Sequence, residues 1–271
     1  MRIPVIFTLN DAMPLLTLLT DFGERDVYVG VMKGAIAQIN PALTIVDLTH
    51  QIPPQNLLAA RFNVMNAYPY FPAGTVHVAV VDPGVGSQRR AIALELPSGF
   101  LVGPDNGIFS GILEREEAIA AVQLDNARYW RTPTPSATFH GRDIFAPVGA
   151  HLASGVPLRE VGSTIALSSL LRLPLPACDR HDSGITGCVQ YIDQFGNVVT
   201  NIPGEAVPSL SWSVIAGTAS IPGKRTYADV DKGHPLALIG SHGWVEIAVS
   251  NGSAQNQLHL NWGDTVELVL T

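Results

Sequence analysis

From Leu15 to about Leu171 short apolar runs alternate with longer mixed segments, whereas beyond Gly184 the apolar runs follow one another between Gly and Pro punctuation. The first pattern predicts strands that cross over through helices into a mainly parallel sheet, and the second an all-β barrel or sandwich. The expected fold class is therefore α/β: an N-terminal α/β domain over 1–172, a linker over 173–184 and a smaller C-terminal β domain over 185–271. The linker is read from Leu-Pro-Leu-Pro-Ala-Cys-Asp-Arg-His-Asp-Ser, which has two prolines and neither helical nor strand period.

In the first domain the pattern predicts strands at 15–20, 44–48 and 76–81, a hairpin at 91–96 and 99–102, and helices at 26–39, 55–67, 108–116 and 145–154. In the second it predicts strands at 185–192, 198–201, 213–216, 236–239, 245–249 and 265–270.

Composition narrows the function. The chain has 271 residues, 46% of them hydrophobic and 14% charged, enough to bury a large core. A net charge of −7 with only 16 scattered Lys and Arg argues against nucleic acid, because phosphate binding needs a clustered basic excess. A small-molecule ligand is expected instead. Cys178 and Cys188 have no companion pair, so neither a disulfide framework nor a four-cysteine zinc site is available, and both read as reduced thiols. Met1 to Met13 starts like a signal peptide, but Asn10 and Asp11 interrupt the apolar run, and Met13 is a second candidate start. No uninterrupted apolar stretch of about 18 residues is present for a membrane span, so a cytoplasmic protein is expected.

Polar groups concentrate in a few turn-like segments. Thr20-Asp21-Phe22-Gly23 closes the first predicted strand, so Asp21 falls at the carboxyl end where open α/β sheets bind ligands. A carboxylate there suits the vicinal hydroxyls of a ribose. The plainer alternative is that Asp21 or Asp26 caps the next helix. Val-Asp82-Pro-Gly-Val-Gly follows another buried strand, with Arg89 seven residues on; it lacks the Walker Lys-Ser/Thr, and a structural Asp–Arg turn is its alternative.

Thr-Phe139-His140-Gly141-Arg-Asp143 precedes a helix, and an Asp, an Arg and a His brought together can orient and deprotonate a water. On this reading the Asp and His accept hydrogen bonds from the water while the Arg cation favours hydroxide. A metal site built on Asp82, His140 and Asp143 is the competing use, but these residues lack a recognised ligand spacing. Asp193-Gln-Phe195-Gly-Asn197 sits between two strands, as an ordinary hairpin turn does, yet Asn197 can pair with an adenine edge and Phe195 offers a stacking face.

Taken in order, these segments resemble the S-adenosylmethionine hydroxide adenosyltransferases, a family related to fluorinase and chlorinase. The resemblance runs from Leu15 to Leu270. It is carried by Thr-Asp21-Phe-Gly with Asp26-Val-Tyr-Val-Gly, Val-Asp82-Pro-Gly-Val-Gly with Arg89-Arg90, Gly-Pro-Asp105-Asn106-Gly, Thr-Phe139-His140-Gly141-Arg-Asp, Ile-Asp193-Gln-Phe195-Gly-Asn197, and Gly-Ser241 with Val-Glu246-Ile-Ala-Val-Ser-Asn251-Gly252.

The resemblance implies hydrolysis of S-adenosylmethionine to adenosine and methionine without a cofactor or metal, with Asp82, Arg89 and His140 handling the water. Asp21, Asp26, Asn106, Phe139, Gly141, Asp193, Phe195, Asn197, Ser241, Asn251 and Ala254 are the implied substrate-binding set. It further implies a homotrimer whose sites lie between the first domain of one subunit and the second domain of its neighbour.

Fluorinase has Tyr at the place of Asp82, Ser at Gly141 and an extra loop near Glu95 and Phe100, so halogenation is disfavoured. Two positions depart from fluorinase at the methionine end: Gln55 stands for a Trp and His242 for an Arg. The competing class is a non-catalytic adenosine or S-adenosylmethionine binder.

Overall fold

The computed structural model describes residues 14–207 and 211–270, so the signal-like stretch from Met1 to Met13 lies outside the described residues. The chain divides into two compact units between Leu173 and Pro174.

The first unit is built on β1 (Leu15–Thr20), β2 (Thr44–Thr49), β3 (Thr75–Val80), β4 (Ala91–Leu96), β5 (Gly99–Pro104), β6 (Ala120–Gln123) and β7 (Ser163–Thr164), in the order β2-β1-β3-β5-β4-β6-β7. The pairings β2–β1, β1–β3 and β3–β5 are parallel, and β5–β4, β4–β6 and β6–β7 are antiparallel. Every residue of β3 is buried, as a central parallel strand with both faces covered requires. The helices are α1 (Tyr28–Ile39), α2 (Leu57–Ala67), α3 (Ser110–Leu113) and α4 (Ala146–Ala153). Leu16 and Leu18 of β1, Val76 and Val78 of β3, Met32 and Ile36 of α1, and Val148 and Leu152 of α4 share one core. Each such large side chain contributes about 1.5–3 kcal/mol by leaving water.

Two expectations need correction here. The helix expected over 108–116 is regular only from Ser110 to Leu113, and beyond it Arg115 N–H turns to the Ile112 carbonyl in a tighter i→i−3 bond. β6 was not foreseen. Its Ala-Ala-Val-Gln has weak strand preference, and it forms because β4 offers an edge, pairing Ile92 with Gln123.

The second unit contains β8 (Asp179–His181), β9 (Gly184–Ile192), β10 (Val198–Pro203), β11 (Trp212–Ala216), β12 (Ala219–Pro222), β13 (Pro235–Ile239), β14 (Trp244–Val249) and β15 (Thr265–Leu270), with α5 at Ala254–Leu258. The strands follow the order β12-β11-β15-β9-β10-β14-β13 with antiparallel neighbours, and β8 pairs with β9. A bridge from Gly223 to Ala237 brings the two outer strands together, so the sheet is a nearly closed barrel around Val189, Val198, Val214, Val245, Ile247 and Leu268. β8 lies inside the segment expected to be structureless linker; its pairing with the start of β9, not its own sequence, makes it a strand.

Candidate active site

The parallel register sets the geometry of the site. Thr20 at the end of β1 is paired with Val80 at the end of β3, so Asp21 and Asp82 emerge at the same carboxyl edge of the sheet. Both line a cleft of about 390 Å³ together with Tyr28, Gln55, Phe139 and His140.

Asp82 and Arg89 are joined by a two-pronged ion pair. Arg89 Nε donates to Asp82 Oδ1 at 2.8 Å and Oδ2 at 3.0 Å, and Nη2 also donates to Oδ2. The same Nη2 reaches His140 Nδ1 at 2.8 Å, while the guanidinium carbon sits 5.2 Å from the centre of the Phe145 ring. The Asp82 and Arg89 side chains are only 5% and 9% exposed, so the pair is shielded from bulk water.

Because a guanidinium can only donate, His140 Nδ1 is the acceptor of that bond, and the neutral imidazole carries its proton on Nε2. Burial and the Arg89 cation hold the His140 pKa below its ordinary value, against the opposite pull of Asp82 and Asp143. The imidazole therefore offers a donor at its remaining nitrogen. This differs from the expectation that His140 accepts from a water, because the accepting nitrogen is already engaged by Arg89.

The local backbone explains how the two halves meet. After Asp82 the chain turns through bonds from Val85 N–H to the Asp82 carbonyl and from Ser87 N–H to the Gly84 carbonyl. Gly86 has φ +78°, and a Cβ there would come within 2.5 Å of the Ala137 carbonyl, so only glycine lets this turn approach the 136–140 segment. That segment runs into a π turn over Gly141–Phe145, with Ala146 N–H bonded to the Gly141 carbonyl.

Asp143, fully buried, anchors the π turn: it accepts from Arg131 Nε at 2.6 Å, Arg142 Nε at 2.7 Å and Ser136 N–H at 2.9 Å. Burial opposes its ionisation, but these donors hold its carboxyl far below the usual range. With Asp143 committed to two arginines, the metal reading has no ligand there, and among the described residues no group of three or more potential ligand side chains gathers.

Gly141 is crowded. A Cβ on it would meet Met32 Sδ at 3.3 Å and the Phe22 and Phe139 rings at 3.4 Å. Phe22, Tyr28 and Phe139 form an aromatic cluster on the cleft wall, with centroids 5.3–5.8 Å apart. Phe22 and Tyr28 were missed as site residues; their position beside Asp21 and Asp26 was the available signal.

Asp21 Oδ2 accepts from Gln55 N–H at 2.8 Å, and Gln55 is held at φ +64°, a strained conformation for a side chain of its size. The capping alternative does not hold. Helix α1 begins after Val27 with no side-chain cap, and Asp26 is exposed and outside the cleft lining. Asn106 donates from Nδ2 to the Val81 carbonyl at 2.9 Å and accepts Ile108 N–H at 3.2 Å, so its amide braces the residue before Asp82.

In the second unit, Asp193 Oδ1 accepts the N–H of Phe195 at 2.9 Å and of Asn197 at 2.8 Å, and Oδ2 accepts Asn197 Nδ2 at 2.9 Å. Asp193 thus organises its own turn, and Phe195 stands 76% exposed on it. Ser241 is exposed in the β13–β14 turn, beside His242, whose Nε2 lies 3.1 Å from the buried Glu246 carboxylate. Tyr227 OH donates to the other oxygen of Glu246 at 2.7 Å. Asn251 adopts φ +57° in the turn before α5, and Ala254 is wholly buried, so its side chain belongs to the core.

The model of the SAM hydroxide adenosyltransferase N-terminal domain matches residues 16–162, and that of the C-terminal domain residues 187–267. The (R)-S-adenosyl-L-methionine hydrolase of Salinispora tropica is 40% identical over 94% of this chain and 97% of its own. That of Thermus thermophilus is 40% identical over 93% of this chain and 98% of its own. A fluorinase from an Actinoplanes species is more distant, at 27% identity over 93% and 96% of the two chains. Among solved structures, an uncharacterised conserved protein from Thermotoga maritima superposes with a TM-score of 0.88 at 36% identity, covering 94% of this chain and 99% of that one. Two domain models in sequence and full-length relatives at this identity carry the assignment: the chain belongs to the SAM hydroxide adenosyltransferase family.

Proposed function

We propose that this protein hydrolyses S-adenosyl-L-methionine to adenosine and L-methionine by attack of water on the ribose C5′. The observation that carries the reading is the continuous carboxylate–guanidinium–imidazole chain of Asp82, Arg89 and His140 against the cleft. Asp82 keeps lone pairs beyond those given to Arg89 and accepts a proton of the water, while His140 Nε2–H donates to its oxygen. The Arg89 cation behind both groups favours hydroxide character. As the C5′–O bond forms, the C5′–S bond breaks and its electron pair returns to sulfur, leaving neutral methionine. The water's proton passes to Asp82 and then to solvent.

The sulfonium is already a good leaving group, so positioning does most of the work, and proximity of this kind accounts for roughly 7–11 kcal/mol of a barrier. Asp21 takes the ribose hydroxyls through the oxygen not held by Gln55, and the aromatic cluster of Phe22, Tyr28 and Phe139 covers the nucleoside. Asp193, Phe195, Asn197 and Ser241 serve the methionine and adenine ends, while Asn106 positions Asp82.

We further infer a homotrimer in which the second unit of a neighbouring subunit completes each site. The strongly exposed Val27 and Tyr28 on one unit and Phe195 on the other support it, as surfaces a partner would cover. The free thiols of Cys178 and Cys188 suit a cytoplasmic setting.

The test is replacement of Asp82 or His140 by Ala. Each variant should lose adenosine release by about 10³-fold or more; His140→Ala should keep its melting temperature within a few degrees, and Asp82→Asn, which leaves Arg89 an acceptor, should show the same loss with the fold retained. Normal turnover by either would remove the proposed water site, and a wild-type protein that binds S-adenosylmethionine and returns it unchanged would make it a binder.

A further inference from the structure

Strand β1 carries two buried threonine–histidine pairs, and one of them, at Thr20, adjoins the cleft residue Asp21. Thr20 Oγ1 lies 2.9 Å from His50 Nδ1, with both residues buried. Thr20 Oγ1 also accepts the N–H of Phe22 at 3.2 Å, so its single proton is available to His50 Nδ1. His50 Nε2 approaches Asp47 Oδ1 to 3.1 Å without a well-aligned hydrogen bond, and Asp47 is paired with Lys33 of α1. A carboxylate facing Nε2 favours the tautomer protonated there, which leaves Nδ1 to accept from Thr20. The backbone of His50 adds a further tie, its carbonyl accepting the N–H of Gly23 at 2.8 Å.

The residues on both sides of Asp21 are thus fastened to one histidine. The register of β2 against β1 slips at this point, from Leu18 opposite Asp47 to Leu19 opposite Thr49. Such a bulge re-aims the residues after it and is a recurrent feature beside active sites.

We propose that His50, acting through Thr20, is a positioning residue that aims the Asp21 carboxylate at the 2′,3′-diol of the nucleoside and so sets selectivity for ribose over deoxyribose. This rests on the reading of Asp21 as the acceptor of the ribose hydroxyls. The Asp21 carboxylate can grip two vicinal hydroxyls only if its plane is held, and Gln55 N–H fixes just one of its oxygens. The Lys33–Asp47–His50–Thr20 chain supplies the remaining constraint through the backbone.

The second pair is an internal control. Thr17 Oγ1 lies 2.9 Å from His77 Nδ1, but Thr17 is in mid-strand rather than next to Asp21, and His77 packs on Tyr68 and Phe71.

The experiment compares affinity for adenosine with that for 2′-deoxyadenosine by calorimetry, and kcat/KM for S-adenosylmethionine with that for its 2′-deoxy analogue. In Thr20→Val and His50→Gln the preference for the ribose form should fall about tenfold, the scale of one hydrogen bond to a charged group. Asp21→Asn should lose it to a similar degree, Thr20→Ser should retain it, and Thr17→Val should leave the ratio unchanged. Equal weakening of both ligands in Thr20→Val and His50→Gln, with Asp21→Asn still losing the preference, would overturn the positioning role alone. An unchanged ratio in Asp21→Asn would overturn the ribose reading and the proposal with it.

Discussion

Two stretches that carry proposed site residues, one in each unit, use their polar side chains in opposite ways. In the first, Arg89 bonds His140, 51 residues away, and Asp21 bonds the backbone of Gln55, 34 residues away. In the second, Asp193 bonds Phe195 and Asn197, two and four residues away, and thereby closes its own turn. Long-range pairing between elements holds charged groups in fixed mutual geometry beside a cleft, as chemistry requires. Short-range pairing leaves a turn that presents an exposed ring, Phe195, to whatever docks on it. Under the proposed function the reacting groups belong to the first unit, and the Asp193 turn of the second adds grip on the ligand.

That division can be broken at several points. Gly141→Ser sits in the reacting region, where an added Cβ would touch the Phe22 and Phe139 rings at 3.4 Å and press only on the Met32 sulfur at 3.3 Å. The hydroxymethyl group would intrude beside the proposed water, so kcat/KM should fall about tenfold, ~1.4 kcal/mol of barrier, without any chloride-dependent product. Product chromatography with and without chloride checks it.

Acid should separate activity from stability. His140 must be neutral to accept from Arg89, and its pKa is lowered by burial and by Arg89, so the acid limb of kcat/KM should lie below pH 6.5. Below that limb the rate should drop about tenfold per pH unit. His77 is buried and pushed down to about 4, and its ring meets Thr17, Tyr68 and Phe71, which do not line the cleft. A histidine whose folded pKa is depressed stabilises the fold fully above its unfolded value, and that contribution is lost as pH falls through the folded value. Unfolding midpoints should therefore decline between about pH 6.5 and 4, and His77→Gln should flatten that decline while leaving the acid limb of activity in place.

The smallest effects belong to the second unit. Asp193→Ala removes three local bonds, and the fold should lose about 1–2 kcal/mol, read as a lower denaturation midpoint. Phe195→Ala, at an exposed ring, should leave that midpoint unchanged and raise KM about three- to tenfold with kcat retained. A fall in kcat with KM retained would contradict the division between units.

Much of this was legible from residue order. β1, β4 and β15 match their expected limits because each is a short apolar run bounded by turn residues. Asp82 and Asp21 stood out because a carboxylate immediately follows a buried strand. What sequence could not carry was pairing across distance: that Arg89 spends one nitrogen on both Asp82 and His140, that Phe145 lies under its guanidinium, and that Asp143 is a structural anchor. His50 was invisible for the same reason, since its partners Thr20 and Asp47 come from two strands and its aim depends on a bulge. Asn106 and Ala254 belonged to the expected binding set by resemblance, yet Asn106 braces backbone and Ala254 fills the core.

The most direct measurement is incubation with S-adenosylmethionine in ¹⁸O-enriched water followed by mass spectrometry of the products. One ¹⁸O atom located at the 5′ oxygen of adenosine, with unlabelled methionine and no dependence on chloride, is the predicted result. Adenosine without the label, a label carried by a methionine-derived fragment, or unchanged substrate would contradict attack of an enzyme-held water on C5′.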